Sequence, residues 1–391
     1  MPNPEFAVLT IGDRDDPLSR ALIDDLTTRT AGLGSASERI DFLPQGAQGG
    51  IHDDSRAAAV VFCRGETTPE EDQAITWCRE RRVPILPVVE DLTRFTALAP
   101  ASLSAYNGFP LADGLDVGEL TGLVLETLGL QRSKRKVFIS YARKDSAEVA
   151  HQLHEAFTAR WYRVFQDTVS IRPGAVFQEE LMQELSDSDV MVLLNSPSVA
   201  TRPYVQAEIA FADQAGVGGV EVVWPGVRRL REAAFFMPVD LANAGMTPGG
   251  SGAAVDRLTD DGVRTILRTA ANIRTEVQAY REHKILRHID AHVTRRRWRA
   301  VLHPGRFITL HHTDGRQLLF DLALGLPTSQ DMQRASTTPR HPLPSDATPR
   351  MLYEPLGITN QQADHLAFLR ERLGLDLLDY RRADEWCARL P

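Results

Sequence analysis

Cysteine, lysine and long apolar runs are all scarce in this chain of 391 residues. The three cysteines, Cys63, Cys78 and Cys387, are odd in number, and their spacing fits neither a disulfide framework nor a zinc site. No apolar run reaches the roughly 18 residues that a membrane span needs, and the first residues lack the basic and apolar regions of a secretory signal. We therefore expect a cytoplasmic protein with no membrane segment.

Lysine stands at only four positions, 134, 136, 144 and 284, so arginine supplies most of the positive charge. A GC-rich genome explains that preference without a functional role. The net charge of -8 is uneven, with -11 in residues 1–130, -1 in 131–272 and +4 in 273–391. The acidic first third argues against general nucleic-acid affinity of the whole chain. The length and the 43% of hydrophobic residues indicate a globular protein of two or three domains.

Apolar runs alternate with helical patterns twice in succession along the first 270 residues. Strand-like runs of the first series lie at 6–11, 57–63 and 83–89, and those of the second at 137–141, 162–166, 190–195 and 220–224. Fully apolar strands that alternate with helices are typical of parallel sheets covered on both faces. We therefore predict an α/β fold of tandem flavodoxin-like domains, 1–131 and 132–272, and the nearly constant offset between them weakly favours an internal repeat.

Residues 273–391 are predicted to form a small α+β region with a regulatory or sensing role. Apolar residues recur at about 3.5-residue spacing from Val263 to Tyr280, which fits either a helix on the second sheet or a short coiled coil. The runs 307–312 and 317–322 flank a Thr-Asp-Gly-Arg turn and predict a hairpin. Two short helices, at about 360–373 and 376–390, follow. The sequence indicates no family for this region.

Three polar clusters follow the predicted strands of the middle domain. They are Ser140-Tyr141 with Arg143-Lys-Asp145, then Asp167 with Ile171-Arg-Pro-Gly174, then Asn195-Ser-Pro-Ser198 before a helix that contains Tyr204-Val-Gln-Ala-Glu208. Ligands of open parallel sheets bind beyond the carboxyl ends of the strands. The three clusters therefore predict a single cleft.

These segments resemble a bacterial Toll/interleukin receptor (TIR) domain over about residues 135–272. The Phe-Ile-Ser-Tyr-x-x-x-Asp opening, the Pro-Gly loop and the aromatic-x-x-x-Glu helix occur in that family's order. The resemblance implies cleavage of NAD+ between nicotinamide and ribose, with Glu208 as the catalytic carboxylate, NAD+ as substrate and no cofactor. One anion suits this chemistry, because nicotinamide leaves as a neutral base while an oxocarbenium-like ribose develops.

The resemblance also implies a substrate pocket and an assembly loop. The pocket would be formed by Ser140, Tyr141, Arg143, Asp167, Phe177 and Tyr204. Among these, Arg143 suits a diphosphate, and Phe177 can stack on a ring. Tyr204 stands one helical turn before Glu208, where the family more often has Trp, so both side chains should share a face toward the cleft. The loop of Arg172, Pro173 and Gly174 would pack on a neighbouring TIR domain, and such head-to-tail contacts extend into filaments.

Each of these residues also has a plainer interpretation. Glu208 could be a solvated helix residue, Asp167 could brace its loop, Phe177 could be core, and Pro173-Gly174 could be an ordinary turn. The expected function is a TIR NAD+ glycohydrolase triggered by assembly in bacterial antiphage defence. The alternative is a non-enzymatic TIR scaffold. Expected partners are further copies of the chain and an activating protein, nucleotide signal or nucleic acid.

Outside the middle domain the candidate residues are weaker. The first domain has Leu9-Thr10-Ile11 where the second has Ser140-Tyr141-Ala142, so we expect it to be non-catalytic. His288 and His292 are four residues apart on a predicted helix, but no third ligand has convincing spacing, and we expect no metal. The cluster Arg295-Arg-Arg-Trp-Arg299 fits a solvated helix end or a nucleic-acid contact.

Overall fold

The computed structural model describes residues 6–12, 17–31, 40–52, 55–111, 117–166, 177–199, 202, 204–247, 257–303, 305–337 and 348–390. The chain divides into two compact units, Met1–Ser133 and Lys134–Pro391. Within the described ranges, no helix is both long enough and apolar enough to cross a membrane.

The first unit is a five-stranded parallel sheet with helices on both faces. Its strands are β1 (Phe6–Ile11), β2 (Ile40–Pro44), β3 (Arg56–Phe62), β4 (Ile85–Val89) and β5 (Phe109–Pro110), and its helices are α1 (Pro17–Ala31), α2 (Pro69–Glu80), α3 (Phe95–Leu98) and α4 (Val117–Thr127). The strand order is β2-β1-β3-β4-β5, and every pair is parallel. Successive side chains of β1 point to opposite faces of the sheet and therefore pack in two separate cores. Val8 packs in one core with Leu22 of α1, and Leu9 packs in the other with Ile75 of α2.

The second unit begins with another five-stranded parallel sheet. Its strands are β6 (Arg135–Ser140), β7 (Tyr162–Gln166), β8 (Val190–Asn195), β9 (Gly218–Val223) and β10 (Met237–Asp240), and its helices are α5 (Arg143–Thr158), α6 (Phe177–Asp187), α7 (Val205–Ala215) and α8 (Leu241–Ala244). The strand order is β10-β9-β8-β6-β7. If the strands of each sheet are numbered from one along the chain, both sheets have the order 2-1-3-4-5. The predicted α/β class with two parallel sheets is confirmed.

A helix of 34 residues, α9 (Asp260–Val293), follows a small antiparallel pair, β11 (Met246–Thr247) and β12 (Arg257–Leu258). It begins after Thr259, whose hydroxyl accepts a hydrogen bond from the Gly262 amide. Ile266 and Ala270 pack in the core of the second sheet, which confirms packing on that sheet rather than a coiled coil. The helix continues without a break across position 272, where the sequence analysis places a domain boundary.

The carboxyl-terminal half of α9 packs against a third sheet. Its strands are β13 (Trp298–His303), β14 (Phe307–His312), β15 (Gln317–Ala323), β16 (Arg350–Tyr353) and β17 (Asp376–Asp379), and its helices are α10 (Ser329–Thr337), α11 (Asn360–Leu373) and α12 (Ala383–Cys387). The strands lie in chain order, and the β14–β15 hairpin is confirmed. β13 pairs antiparallel with β14, whereas β15, β16 and β17 are parallel.

One predicted helix of this region is wrong in its first half. The residues from Asp376 to Asp379 form β17, a short 3₁₀ turn follows at Tyr380–Arg382, and the segment from Ala383 to Cys387 is α-helical. Leu377 and Leu378 pair with Met351 and Leu352 of β16, a contact between segments about 25 residues apart. This long-range pairing overrides the local pattern that favours a helix.

Candidate active site

Ser140 and Glu208 meet at the carboxyl end of the second sheet. Ser140 is the last residue of β6, and Glu208 lies in the first turn of α7, which follows β8. The Ser140 hydroxyl donates a hydrogen bond of 2.5 Å to Glu208 Oε2. Both residues are completely buried. The strands β6 and β8 are neighbours, and between them the strand order reverses, which is the position where doubly wound sheets bind ligands.

Arg202 completes this group, and the sequence analysis did not identify it. Its Nη1 donates to the Tyr141 carbonyl oxygen at 2.6 Å and approaches Ser140 Oγ at 3.5 Å. Its Nη2 lies 3.6 Å from Glu208 Oε1, and 19% of the arginine side chain is exposed. The guanidinium therefore partly neutralises the buried carboxylate.

Asp145, the acidic residue of the Tyr-x-x-x-Asp pattern, holds the segment that directly follows β8. Its Oδ1 accepts a hydrogen bond of 2.6 Å from the Ser196 hydroxyl, and its Oδ2 accepts one of 2.8 Å from the Ser198 amide. These bonds join the first turn of α5 to the segment after β8. Asp145 thus fixes Ser196 and Ser198 relative to the first turn of α5.

The structure does not bring every predicted residue to Glu208. The Tyr141 side chain packs in the core on the opposite face of the sheet from Ser140, and only its carbonyl group reaches the site. Arg143 is exposed at the start of α5. Tyr204 keeps the one-turn spacing, because its carbonyl accepts from the Glu208 amide at 2.9 Å, but its side chain is 51% exposed. The side chains of Tyr141, Arg143 and Tyr204 therefore lie in environments that differ from the buried contact between Ser140 and Glu208.

Several predicted residues lie outside the described part of the chain. They are Asp167 and the assembly-loop residues Arg172, Pro173 and Gly174. Phe177 is the first residue of α6, but its side chain also lies outside the described residues. Their roles therefore remain predictions.

Two other carboxylates in the described part of the domain, Glu221 and Asp189, are also deeply buried, but neither lies at the carboxyl end of a strand. Glu221 on β9 accepts a hydrogen bond of 2.7 Å from Arg229 Nε. Asp189, just before β8, accepts one of 3.1 Å from Arg274 Nε of α9. Among the described residues, no three His, Cys, Asp or Glu side chains are grouped so that they could hold a metal ion. Glu208 is therefore the buried carboxylate that lies at the ligand-binding position of the fold.

The parallel order of the sheet and the acidic group at its switch point define a doubly wound α/β domain with a candidate ligand cleft. A family model described as TIR domain matches residues 137–248, which span β6 to β11. The chain therefore contains a TIR domain. No curated protein matches the chain.

Solved structures give only distant likenesses. A two-component response regulator/GGDEF domain protein has 11% identity and a TM-score of 0.28, covering 69% of this chain and 98% of its own. A phosphosugar isomerase from Silicibacter pomeroyi DSS-3 has 10% identity and a TM-score of 0.19, with coverages of 72% and 87%. Proximal thread matrix protein 1 of the mussel byssus has 9% identity and a TM-score of 0.23, with coverages of 69% and 96%. TM-scores this low carry no structural argument.

Proposed function

We propose that the TIR domain cleaves NAD+ at the bond between nicotinamide and ribose, with Glu208 as the catalytic carboxylate. The observation that carries the proposal is a buried carboxylate at the switch point of a TIR domain, held by the Ser140 hydroxyl at 2.5 Å. In a site with little water, a fixed anion stabilises a developing ribosyl cation far better than it would in solution. Ser140 keeps one carboxylate oxygen oriented.

The burial of Glu208 means that the carboxylate is covered in this conformation. Arg202 stands beside it and bonds to the Tyr141 carbonyl, so substrate contact requires Arg202 to move. A covered carboxylate fits a protein whose activity is triggered by assembly. TIR domains generally associate with one another, and we propose that this chain forms homo-oligomers or filaments through such contacts. Antiphage defence is the biological setting that we propose.

A non-enzymatic scaffold is the second candidate function. The same burial favours it, because Glu208 has no exposed surface and bonds to Ser140 as a structural carboxylate would. In that case Glu208 stabilises the loop between β8 and α7, and partners bind elsewhere on the domain.

Release of nicotinamide from NAD+ by the full chain distinguishes the two functions. Turnover should rise with protein concentration, and Glu208→Gln should lower it by about 10²–10³ because one preorganised electrostatic group is lost. Glu155→Gln is the matched control, since Glu155 lies on α5 of the same domain with 67% of its side chain exposed. Absence of turnover at every concentration, in a protein that assembles, would support the scaffold. Equal turnover in both variants would remove Glu208 from the mechanism.

A further inference from the structure

Positive charge is concentrated in the first hairpin of the third sheet. Residues 294–317 contain six arginines and three histidines against one acidic residue, Asp314. The chain prefers arginine to lysine throughout, but that preference does not explain the charge of this segment. A preference between two basic residues does not determine where acidic residues are scarce. A chain with a net charge of -8 therefore has a strongly basic segment here, in addition to the shorter basic run at 131–136, where Lys136 pairs with Asp187.

The hairpin places part of this charge on one face of β13 and β14. Arg299 lies directly opposite His311 in the antiparallel register. His303 and His311 both approach the Thr309 hydroxyl, with Nε2 to Oγ1 distances of 2.6 and 2.8 Å. The His303 and Phe307 rings stack with 4.6 Å between centroids and 4° between planes. A basic strip and a planar stacked pair thus lie side by side.

The other face of the hairpin is the packed one. Trp298, Ile308 and Leu310 form a core with Ile289 of α9, whereas α10 and α11 cover the β16 and β17 end of the sheet. Arg299 is exposed, and His303, Phe307 and His311 are half-buried. Arg295 and Arg296 are exposed in the short 3₁₀ segment immediately before β13. We call Arg295, Arg296, Arg297, Arg299, His303, Phe307 and His311 the basic face.

In the described part of the chain the exposed arginines of the basic face are not neutralised by ion pairs, although Asp321 of β15 lies directly opposite Phe307. In the described ranges, Arg295, Arg296, Arg297 and Arg299 form no ion pair, while Asp314 pairs with Arg316 and His312. Burial, His303 and Arg299 all lower the pKa of His311. An anion bound beside Arg299 would favour the protonated form of His311 and so increase the positive charge of this face.

We infer that the basic face binds single-stranded nucleic acid. Exposed arginines along a strand edge suit a row of phosphates, whose contacts dominate nucleic-acid affinity. An aromatic platform beside them suits base stacking, which single strands allow and duplexes do not. This binding is independent of the proposed activity at Glu208 and would supply the third sheet with a ligand to sense.

A salt titration tests the inference on the full chain. The probes are fluorescent single-stranded DNA and RNA of about 20 nucleotides, a length that covers one or more typical single-strand sites. Arg295→Gln/Arg299→Gln should reduce the slope of log affinity against log salt by about 1.4, at about 0.7 per lost contact. It should also weaken binding at least about tenfold at low salt. Phe307→Leu should weaken binding about fivefold or more with the slope unchanged, because it removes stacking but no charge.

The matched control is Arg370→Gln/Arg372→Gln, which makes the same charge change on exposed residues of α11. Thermal melts check that all variants are folded. Retained binding in the control and loss in the basic-face variant would support the inference. Equal loss in both double variants would overturn it, as would a wild-type chain that binds neither strand. Capture by anionic vesicles, with no binding of either strand, would assign the basic face to a membrane surface and would also overturn it.

Discussion

The guanidinium of Arg202 lies 3.6 Å from Glu208 Oε1, and of these two side chains only the arginine reaches solvent. A pyridinium-ribose substrate would bring a second positive charge to the same carboxylate. Two cations beside one buried carboxylate repel each other. For the proposed NAD+ cleavage, we therefore expect Arg202 to control access of the substrate to Glu208.

We predict that Arg202→Gln raises NAD+ turnover of the dilute chain by about tenfold, because the anion is no longer partly neutralised. The measurement is nicotinamide release at low protein concentration, together with NAD+ binding by calorimetry. Arg202→Lys keeps the charge and serves as the control, with turnover near that of the wild type. Weaker NAD+ binding by Arg202→Gln would mean that Arg202 holds substrate rather than excluding it.

Asp145→Asn should destabilise the second unit. The asparagine side chain lacks the negative charge that now accepts hydrogen bonds from two donors. Its NH2 group would also face one of those donors, the Ser196 hydroxyl or the Ser198 amide. Hydrogen bonds to charged groups contribute about 1.5–3 kcal/mol, so we expect a loss of that size in the free energy of unfolding. Urea titration measures it. Asp213→Asn, on the exposed side of α7, should change stability by less than about 0.5 kcal/mol.

The stability of the second unit should fall as the pH rises toward 8. Burial raises the pKa of Glu282 on α9 from 4.5 to about 8, although the charge of Arg306 lowers it in part. The folded chain therefore keeps a proton that the unfolded chain releases, so this contribution is complete below pH 4.5 and is lost as the pH approaches 8. Each pH unit in that window costs at most about 1.4 kcal/mol.

Urea unfolding between about pH 5 and pH 8 measures this dependence. Glu282→Gln carries no charge at any pH and should flatten the slope. Glu276→Gln, an exposed residue of the same helix, should leave it as it is in the wild type. An unchanged slope in Glu282→Gln would place the titrating group elsewhere.

The three cysteines should be inert in the native protein. Burial raises the pKa of Cys63 to about 11, of Cys78 to about 12 and of Cys387 to about 11, from a usual value of 9.0. Because thiolates react and thiols do not, labelling at pH near 8 should be slowed about 100-fold or more. A colorimetric thiol reagent should detect all three cysteines after unfolding in guanidinium. Rapid native labelling of any one would reveal a local opening around it.

The parallel sheets could be predicted because their central strands are short apolar runs buried on both faces. Val190–Asn195 is such a run, and the two neighbouring segments that end at Ser140 and Val223 read in the same way. Local sequence carries this signal directly. By contrast, β17 depends on pairing with β16, and β13 follows an arginine cluster that reads as the end of a helix. Their sheet partners lie elsewhere in the chain.

The motif residues of the candidate site could be predicted from the sequence, but the contacts between their side chains could not. Ser140 and Glu208 belong to recognisable patterns, and the structure brings them together across 68 positions of sequence. Arg202 belongs to no pattern, since an isolated arginine before a helix looks like any surface residue. Tyr141 follows Ser140 directly, but adjacent residues of a strand point to opposite faces, which sends its side chain into the other core. Strand alternation could have revealed this placement.

The segment matched by the family model ends at residue 248, whereas α9 begins at Asp260. A fragment that ends at residue 248 would lack Ile266 and Ala270, which pack in the same core as Val220. It would also lack Arg274, which donates a hydrogen bond to Asp189. It would expose a broad apolar surface and keep a buried carboxylate without its cation. The compact unit therefore extends well beyond the segment that the family model matches. Any chimaera should therefore keep α9 together with both sheets on which it packs, because Ile289 and Val293 lie in one core with Trp298 of the third sheet.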